Sequence, residues 1–314
     1  MLRFLVFVLL ALPFPAWAND STAALVGGGL VLTKTDEIAM ESEALTITPD
    51  LISVNYQFQN TSDAPITTRV AFPLPDLSLW DAFYEHQAFP VSDPMNFVGF
   101  STQIDGKPVP MERSIRMMAG KKDVTDAFLS FGFVRSLADP SLFKKIDNEP
   151  ALAKLKQIGV GMEENQNDVV QKTAYHWEQT FPAKKTLSVA HRYGPVPGIQ
   201  ILYPSLLPTF LGKHWKESFC LDASSATALR ESLGGASRYP VRTVRYVLTT
   251  GNNWKGGIGQ FRLRVEAKPP FEAALFCSPD GAGGLVGKSL EINLKNFSPK
   301  QELNILFIGK ENDK

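Results

Sequence analysis

The segment ISVNYQFQN, residues 52–60, alternates between apolar and polar side chains along its length. Its apolar members fall on one face of an extended chain, namely Ile52, Val54, Tyr56 and Phe58. A period of two residues is the pattern of a β-strand with one buried face. Turn-forming residues occupy 60–65, and a second apolar stretch runs from Ile66 to Phe72. This region therefore predicts two strands joined by a turn.

The same alternation recurs along the rest of the chain. Residues 175–181 and 187–193 alternate on either side of a short turn, which predicts a β-hairpin. Four further alternating segments lie in the last third, at 244–248, 261–265, 290–294 and 303–307. Burial on one face explains such clean alternation, so we predict a mainly β protein built as one or two antiparallel β-sandwiches.

The middle of the chain has a different period. Asp126 can cap a helix, and Asn148, Glu149 and Pro150 are typical of another helix start. Apolar residues then follow at helical spacing up to Gly159, which favours a helix end. We therefore expect a small helical insertion around residues 126–160.

These patterns suggest how the chain is divided. Residues 1–18 are expected to be a signal peptide, 19–194 a β-rich region with the helical insertion, and 214–314 a second β-rich region. Residues 195–213 contain four prolines, which marks them as a Pro-rich connection. The alternative is one integrated domain spanning 19–310.

The first residues have the features of an export signal. Arg3 precedes the apolar run from Phe4 to Leu12, and the segment Ala16-Trp17-Ala18 ends in a small-x-small cleavage pattern. The run is far shorter than the roughly 20 residues of a membrane-spanning helix. We expect cleavage between Ala18 and Asn19, a periplasmic or secreted location, and no membrane span in the mature chain.

Charge and cysteine content narrow the partners. The 314 residues include 32 Lys plus Arg and 32 Asp plus Glu, so no excess positive charge favours nucleic acid. Cys220 and Cys277 are the two cysteines. In an exported protein such a pair favours a disulfide over a metal site or a nucleophile.

Sequence motifs of known catalytic sites are either absent or lie in the wrong structural context. Residues 282–289 fit a relaxed phosphate-loop pattern, but an alternating strand follows them where a helix is required. The four histidines form no close pair, and His191 shares a face with apolar neighbours, which is typical of a core histidine. No activated serine is evident. We therefore expect no cofactor and no metal, and we favour a non-catalytic protein.

Three separated segments carry a resemblance to a known family. The segments are residues 30–75, which end in Val70-Ala71-Phe72-Pro73-Leu74-Pro75, residues 177–182, and the run from Tyr246 to Gly256. In this order they resemble the bacterial family catalogued as domain of unknown function 4424. The resemblance implies an exported bacterial protein and carries no assigned activity.

One loop of that run is suited to recognition. Asn252, Asn253 and Trp254 lie among glycines between two strands, where amide groups and a large ring could contact a polar ligand. The alternative is that Trp254 folds back to close the core.

Three functions of different classes follow. We favour an exported, non-catalytic binding or scaffold protein of the bacterial cell envelope, whose partner is an unknown envelope protein or a polar ligand. The alternatives are an envelope hydrolase with a site assembled only in three dimensions, and a purely structural envelope component.

Overall fold

The computed structural model describes residues 21–26, 29–84, 88–146, 148–161, 168–210 and 215–311. The predicted signal peptide and its cleavage site between Ala18 and Asn19 lie outside the described residues. Within the described ranges, no helix has the length and apolar character that crossing a lipid bilayer would require.

The described chain is mainly β, as its alternation predicted. The strands in chain order are β1 (Ser21–Val26), β2 (Gly29–Thr33), β3 (Ile38–Ile47), β4 (Ile52–Asn60), β5 (Ile66–Pro73), β6 (Leu77–Ser78), β7 (Ser101–Ile104), β8 (Lys107–Pro108), β9 (Glu112–Ala119), β10 (Lys122–Asp123), β11 (Val169–Phe181), β12 (Thr186–Tyr193), β13 (Gly198–Leu202), β14 (Tyr239–Tyr246), β15 (Lys255–Glu266), β16 (Phe271–Cys277), β17 (Gly284–Gly287), β18 (Ser289–Phe297) and β19 (Leu303–Gly309). The helices are α1 (Leu79–Tyr84), α2 (Thr125–Ser130), α3 (Ser141–Ile146), α4 (Glu149–Gln157), α5 (Leu207–Thr209), α6 (Trp215–Ser218) and α7 (Ala223–Leu233).

The strands form three sheets. The first has the order β10-β9-β11-β5-β1-β2, with β6 beside β11. The second has the order β18-β15-β3-β4-β12-β7-β8, and the third β13-β14-β19-β16-β17. The hairpin predicted from residues 175–181 and 187–193 is wrong, because β11 lies in the first sheet and β12 in the second. All pairs are antiparallel except β15 with β3, which is parallel. A strand from the C-terminal third is therefore built into the sheet that the N-terminal strands form.

The buried face predicted from residues 52–58 is confirmed. Ile52, Val54 and Tyr56 have no exposed surface, and Phe58 is 1% exposed. One hydrophobic core receives side chains from all three sheets, including Phe72, Trp177, Phe261, Tyr246 and Phe307. Full burial of one such large apolar side chain stabilises the fold by about 1.5–3 kcal/mol. The sheets thus share their main source of stability.

The opposite face of the third sheet packs on a helix that the sequence analysis did not predict. Leu229 and Leu233 of α7 lie in one buried cluster with Leu275 of β16. At the start of α7, Asp222 Oδ1 accepts a hydrogen bond from Ser225 N at 2.8 Å, and Ser225 Oγ accepts one from Asp222 N at 2.9 Å. This reciprocal cap satisfies backbone groups that a helix start leaves open.

The helical insertion expected around residues 126–160 is present as α2, α3 and α4. Asn148 Oδ1 accepts a hydrogen bond from Ala151 N at 3.0 Å, so Asn148 caps α4. The cap expected from Asp126 is wrong, because α2 begins at Thr125 and Asp126 lies in its first turn. Asp123 instead accepts a hydrogen bond from Thr125 N at 2.9 Å.

The two cysteines are at disulfide distance. Cys220 precedes α7 and Cys277 ends β16, with Cα atoms 5.0 Å apart and the sulfur atoms bonded. The bond therefore ties the helical layer to the third sheet. Gly284 of β17 passes against this link so closely that a Cβ there would overlap the carbonyl oxygen of Cys220.

Candidate functional site

The loop proposed for recognition lies against the core. Trp254 is 2% exposed, and its ring centroid is 4.4 Å from that of Phe58 and 6.2 Å from that of Phe181. In this conformation the ring presents no surface to a ligand. The arrangement is the one that the alternative described, in which the ring closes the core.

The two asparagines of the loop bond to other parts of the chain. Asn252 Nδ2 donates to the carbonyl of Pro299 at 2.7 Å, and Asn253 Nδ2 donates to Ser21 Oγ at 3.0 Å. The Asn253 carbonyl accepts from Thr35 N at 2.9 Å. The loop therefore fastens the first hairpin to the second sheet, and ligand binding by it stays a prediction.

A polar cluster lies inside the core. Glu43 on β3 is 1% exposed and lies opposite Tyr56 of β4. Tyr246 of β14 donates a hydrogen bond to Glu43 Oε1 at 3.0 Å, and the hydroxyl oxygens of Tyr56 and Tyr246 are 3.1 Å apart. Burial and the neighbouring negative charge of Glu43 raise the pKa of Tyr246 well above its usual value. The cluster connects the second and third sheets.

His191 is enclosed beside this cluster. Its ring centroid lies 5.1 Å from Phe72, 5.1 Å from Phe100, 5.4 Å from Trp177 and 5.7 Å from Tyr56. The side chain is 1% exposed, as expected of a core histidine. Across the described ranges, no three His, Cys, Asp or Glu side chains are grouped so that they could hold a metal ion.

A patch of exposed apolar side chains lies elsewhere, at the end of β13. Ile201 is 51% exposed, Tyr203 54% and Leu206 44%. Single exposed apolar residues are common on protein surfaces, but three within six residues form a local patch. This segment lies in the predicted Pro-rich connection, for which no binding site was predicted.

The strand beside this patch has an open edge. β13 is the outermost strand of the third sheet, and within the described ranges it pairs with β14 on one side. An outermost strand presents unpaired N–H and C=O groups to its surroundings. As far as the described residues show, the open groups of β13 are therefore available to another chain.

The register identifies which groups are open. Arg238 and Glu311 exchange two backbone hydrogen bonds, of 3.1 and 2.9 Å, on the β19 side of β14. Because backbone groups alternate between the two sides of a strand, Pro240 and Arg242 also direct theirs toward β19. Their partners on β13 are Ile201 and Ile199. The N–H and C=O groups of Ile199 and Ile201 consequently point away from β14.

The open edge lacks charged side chains. No Asp, Glu, Lys, Arg or His occurs from Pro195 to Phe210. Charged side chains normally discourage pairing at such an edge. Pro197 and Pro204 flank β13 closely, which limits the open edge to a few residues. We call Ile199, Ile201, Tyr203 and Leu206 together the β13 edge.

A signal for this edge exists in the sequence. Ile199, Gln200 and Ile201 alternate between two prolines, and the absence of charge extends well beyond them. The number of prolines in 195–213 led instead to the expectation of an irregular connection.

Comparison with known proteins identifies a family. The family model described as Domain of unknown function (DUF4424) matches residues 18–306. Among curated proteins, none matches this chain.

Solved structures give distant similarities. A candidate nutrient binding protein from Legionella pneumophila is 17% identical, with a TM-score of 0.42, and the match covers 92% of this chain and 72% of that protein. An M1 zinc metallopeptidase from Deinococcus radiodurans is 10% identical, with a TM-score of 0.28, and the match covers 88% of this chain and 43% of the peptidase.

Proposed function

We propose that this chain, which belongs to the DUF4424 family, is an exported, non-catalytic binding or scaffold protein of the bacterial cell envelope that binds its partner at the β13 edge. The single observation that carries the proposal is the coincidence of an open strand edge with three exposed apolar side chains. The interior of the protein also favours a non-catalytic role, since the polar side chains of Glu43, Tyr246 and His191 are enclosed in the core.

Strand addition is the mode of binding that this geometry fits. An extended segment that aligns with β13 would bond to the backbone of Ile199 and Ile201, which supplies affinity. Ile201 and Tyr203 would then cover apolar side chains of the added segment, which supplies specificity. Such a site needs no metal and no activated nucleophile.

The envelope location rests on the first residues and on the cysteine pair. The segment Ala16-Trp17-Ala18 fits signal cleavage, and a disulfide between Cys220 and Cys277 suits an oxidising compartment. Intact-mass measurement of the protein recovered from the envelope is expected to give a chain that begins at Asn19. A mass that retains Met1 to Ala18 would contradict export by cleavage.

The binding site is tested by partner capture from native envelope extract. Immobilised wild-type protein is compared with a variant carrying Ile201→Lys and Leu206→Ser, and with Val91→Lys. Val91 is the matched control, because it is 38% exposed and lies in the loop between α1 and β7, outside β13. We expect the edge variant to lose the captured partner and Val91→Lys to retain it.

One result would exclude the β13 edge as the binding site. If the edge variant keeps its native circular dichroism spectrum and captures as much partner as wild type, the β13 edge is not the binding site.

A further inference from the structure

We propose that the partner of the β13 edge is a second copy of this chain, paired antiparallel through β13 about a two-fold axis at Gln200. The inference rests on the proposed function, because it assigns an occupant to the same edge. It begins from the backbone groups of Ile199 and Ile201, which point away from β14.

The strand β13 is complementary to its own copy. Two-fold symmetry brings the same surface together from both copies, so residues on either side of the axis must suit each other. Around Gln200 the sequence reads Ile199-Gln200-Ile201, which is identical in both directions. Ile199 of one copy then lies opposite Ile201 of its mate, and the two Gln200 residues lie opposite each other.

The hydrogen-bond register favours an axis at Gln200. With the axis at Gln200, each open N–H and C=O of Ile199 meets an open group of Ile201 in the mate. A register one pair toward the N-terminus would set Ile201 against Pro197, which has no N–H to donate. A register one pair toward the C-terminus would use the carbonyl of Tyr203, which already accepts from Leu206 N at 2.9 Å. The Gln200 register avoids both costs.

The side chains of β13 also suit this pairing. Ile199 and Ile201 lie on the face of β13 opposite to Leu202, which is buried among residues that contact α7. Pairing about Gln200 brings the four isoleucines of two copies together on that face. Ile201, which is 51% exposed in the single chain, would be covered by its mate.

The charge of the edge also favours a second copy. A foreign segment is often selected by complementary charge, but no Asp, Glu, Lys, Arg or His occurs from Pro195 to Phe210. An uncharged strand meets no like-charge repulsion when it pairs with its own copy. The flanking prolines restrict pairing to one short strand, so the assembly closes as a dimer.

The first test measures the oligomeric state of the purified mature protein by sedimentation velocity over a wide concentration range. We expect a monomer–dimer equilibrium that Ile201→Lys weakens about tenfold or more, since two like charges would face the paired edge. Val91→Lys should leave the equilibrium unchanged. Circular dichroism melting confirms that both variants remain folded.

The second test fixes the register. In the proposed dimer the Gln200 residues form a non-hydrogen-bonded pair, in which Cα atoms lie about 4.5 Å apart, within disulfide range. Gln200→Cys is therefore expected to form a covalent dimer under mild oxidation. Ser205→Cys is the matched control, because it is exposed in the same segment but lies far from the axis. It should remain largely monomeric.

The outcomes separate the two proposals. A wild-type protein that is monomeric at every concentration, with Gln200→Cys cross-linking no faster than Ser205→Cys, overturns the dimer. If the edge variant still loses capture from envelope extract in that case, the β13 edge binds a different protein and the proposed function stands.

Discussion

The ring of Trp254 lies 4.4 Å, centroid to centroid, from the ring of Phe58, so the loop after β14 is packed directly on β4. Trp254→Ala would empty the space of a large buried ring, which typically costs about 3–5 kcal/mol of unfolding free energy. Urea unfolding of wild type, Trp254→Ala and Trp254→Phe measures this cost. The Phe variant should lose less, because it retains an aromatic ring.

The Trp254 prediction also separates packing from recognition. Partner capture by the folded fraction of Trp254→Ala should equal that of wild type. A variant with an unchanged melting midpoint and weakened capture would instead restore the recognition hypothesis for Asn252, Asn253 and Trp254.

The hydrogen bond from Tyr246 to Glu43 should matter more than an ordinary tyrosine hydrogen bond. Tyr246→Phe leaves a buried carboxylate without one of its donors, which costs about 1.5–3 kcal/mol for a bond to a charged group. Tyr239→Phe is the matched control, since its hydroxyl donates to the neutral Gly234 carbonyl at 3.1 Å. There we expect about 0.5–1.5 kcal/mol. Equal losses in urea unfolding would contradict the role of the charge.

The cysteine pair predicts a stabilising bond. Titration of denatured, unreduced protein should find no free thiol, because Cys220 and Cys277 are joined. Replacing both by Ser should lower stability by on the order of 4 kcal/mol in the chain-entropy model. Two free thiols in protein isolated from the envelope would refute the bond.

The cap of α7 predicts a pH dependence. Hydrogen bonds from the Ser225 backbone and from the Ser224 and Ser225 hydroxyls lower the pKa of Asp222 to about 2. Its unfolded value is about 3.9, so the ionised cap stabilises the folded state above that pH. The contribution is lost as the pH falls through about 2. The stability difference between wild type and Asp222→Ala should therefore be largest near neutral pH and vanish in strong acid.

An acid titration that keeps this difference constant down to pH values near 2 would show that the charge of Asp222 does not stabilise α7. Asp36→Ala, at an exposed position, is the control for general charge effects.

The sharing of one core predicts cooperative unfolding. We propose that the chain is one integrated domain, because β15 lies between β3 and β18 in the same sheet. Circular dichroism and tryptophan fluorescence should then report one coincident transition. A fragment of residues 19–194 should fail to fold. Two resolved transitions would support separate regions joined by residues 195–213.

Local patterns in the sequence predicted the parts of the fold that local physics determines. The period of two at residues 52–58 identified a buried strand face, and Asn148 identified a helix start. The same signals were available for α7, where Asp222 and Ser225 form a cap and Gly234 follows the last turn. That helix was missed because the surrounding alternation favoured strands.

Relationships between distant residues could not be predicted in this way. Glu43 and Tyr246 meet only because β3 and β14, which lie far apart in the chain, pack together in the fold, and no local period encodes that proximity. The β13 edge was missed for a related reason. Whether a strand is outermost depends on the order of strands in the finished sheet, which the Ile199-to-Ile201 alternation does not specify.

The parallel pairing of β15 with β3 also constrains how the protein is made. Leu45 pairs with Leu263, so the sheet begun by the first strands is completed by a strand that is synthesised much later. Until then one edge of β3 stays unpaired and open to other chains. The long-range closure favours slow folding. A newly made chain therefore passes through an interval in which this open edge can pair with other chains and aggregate.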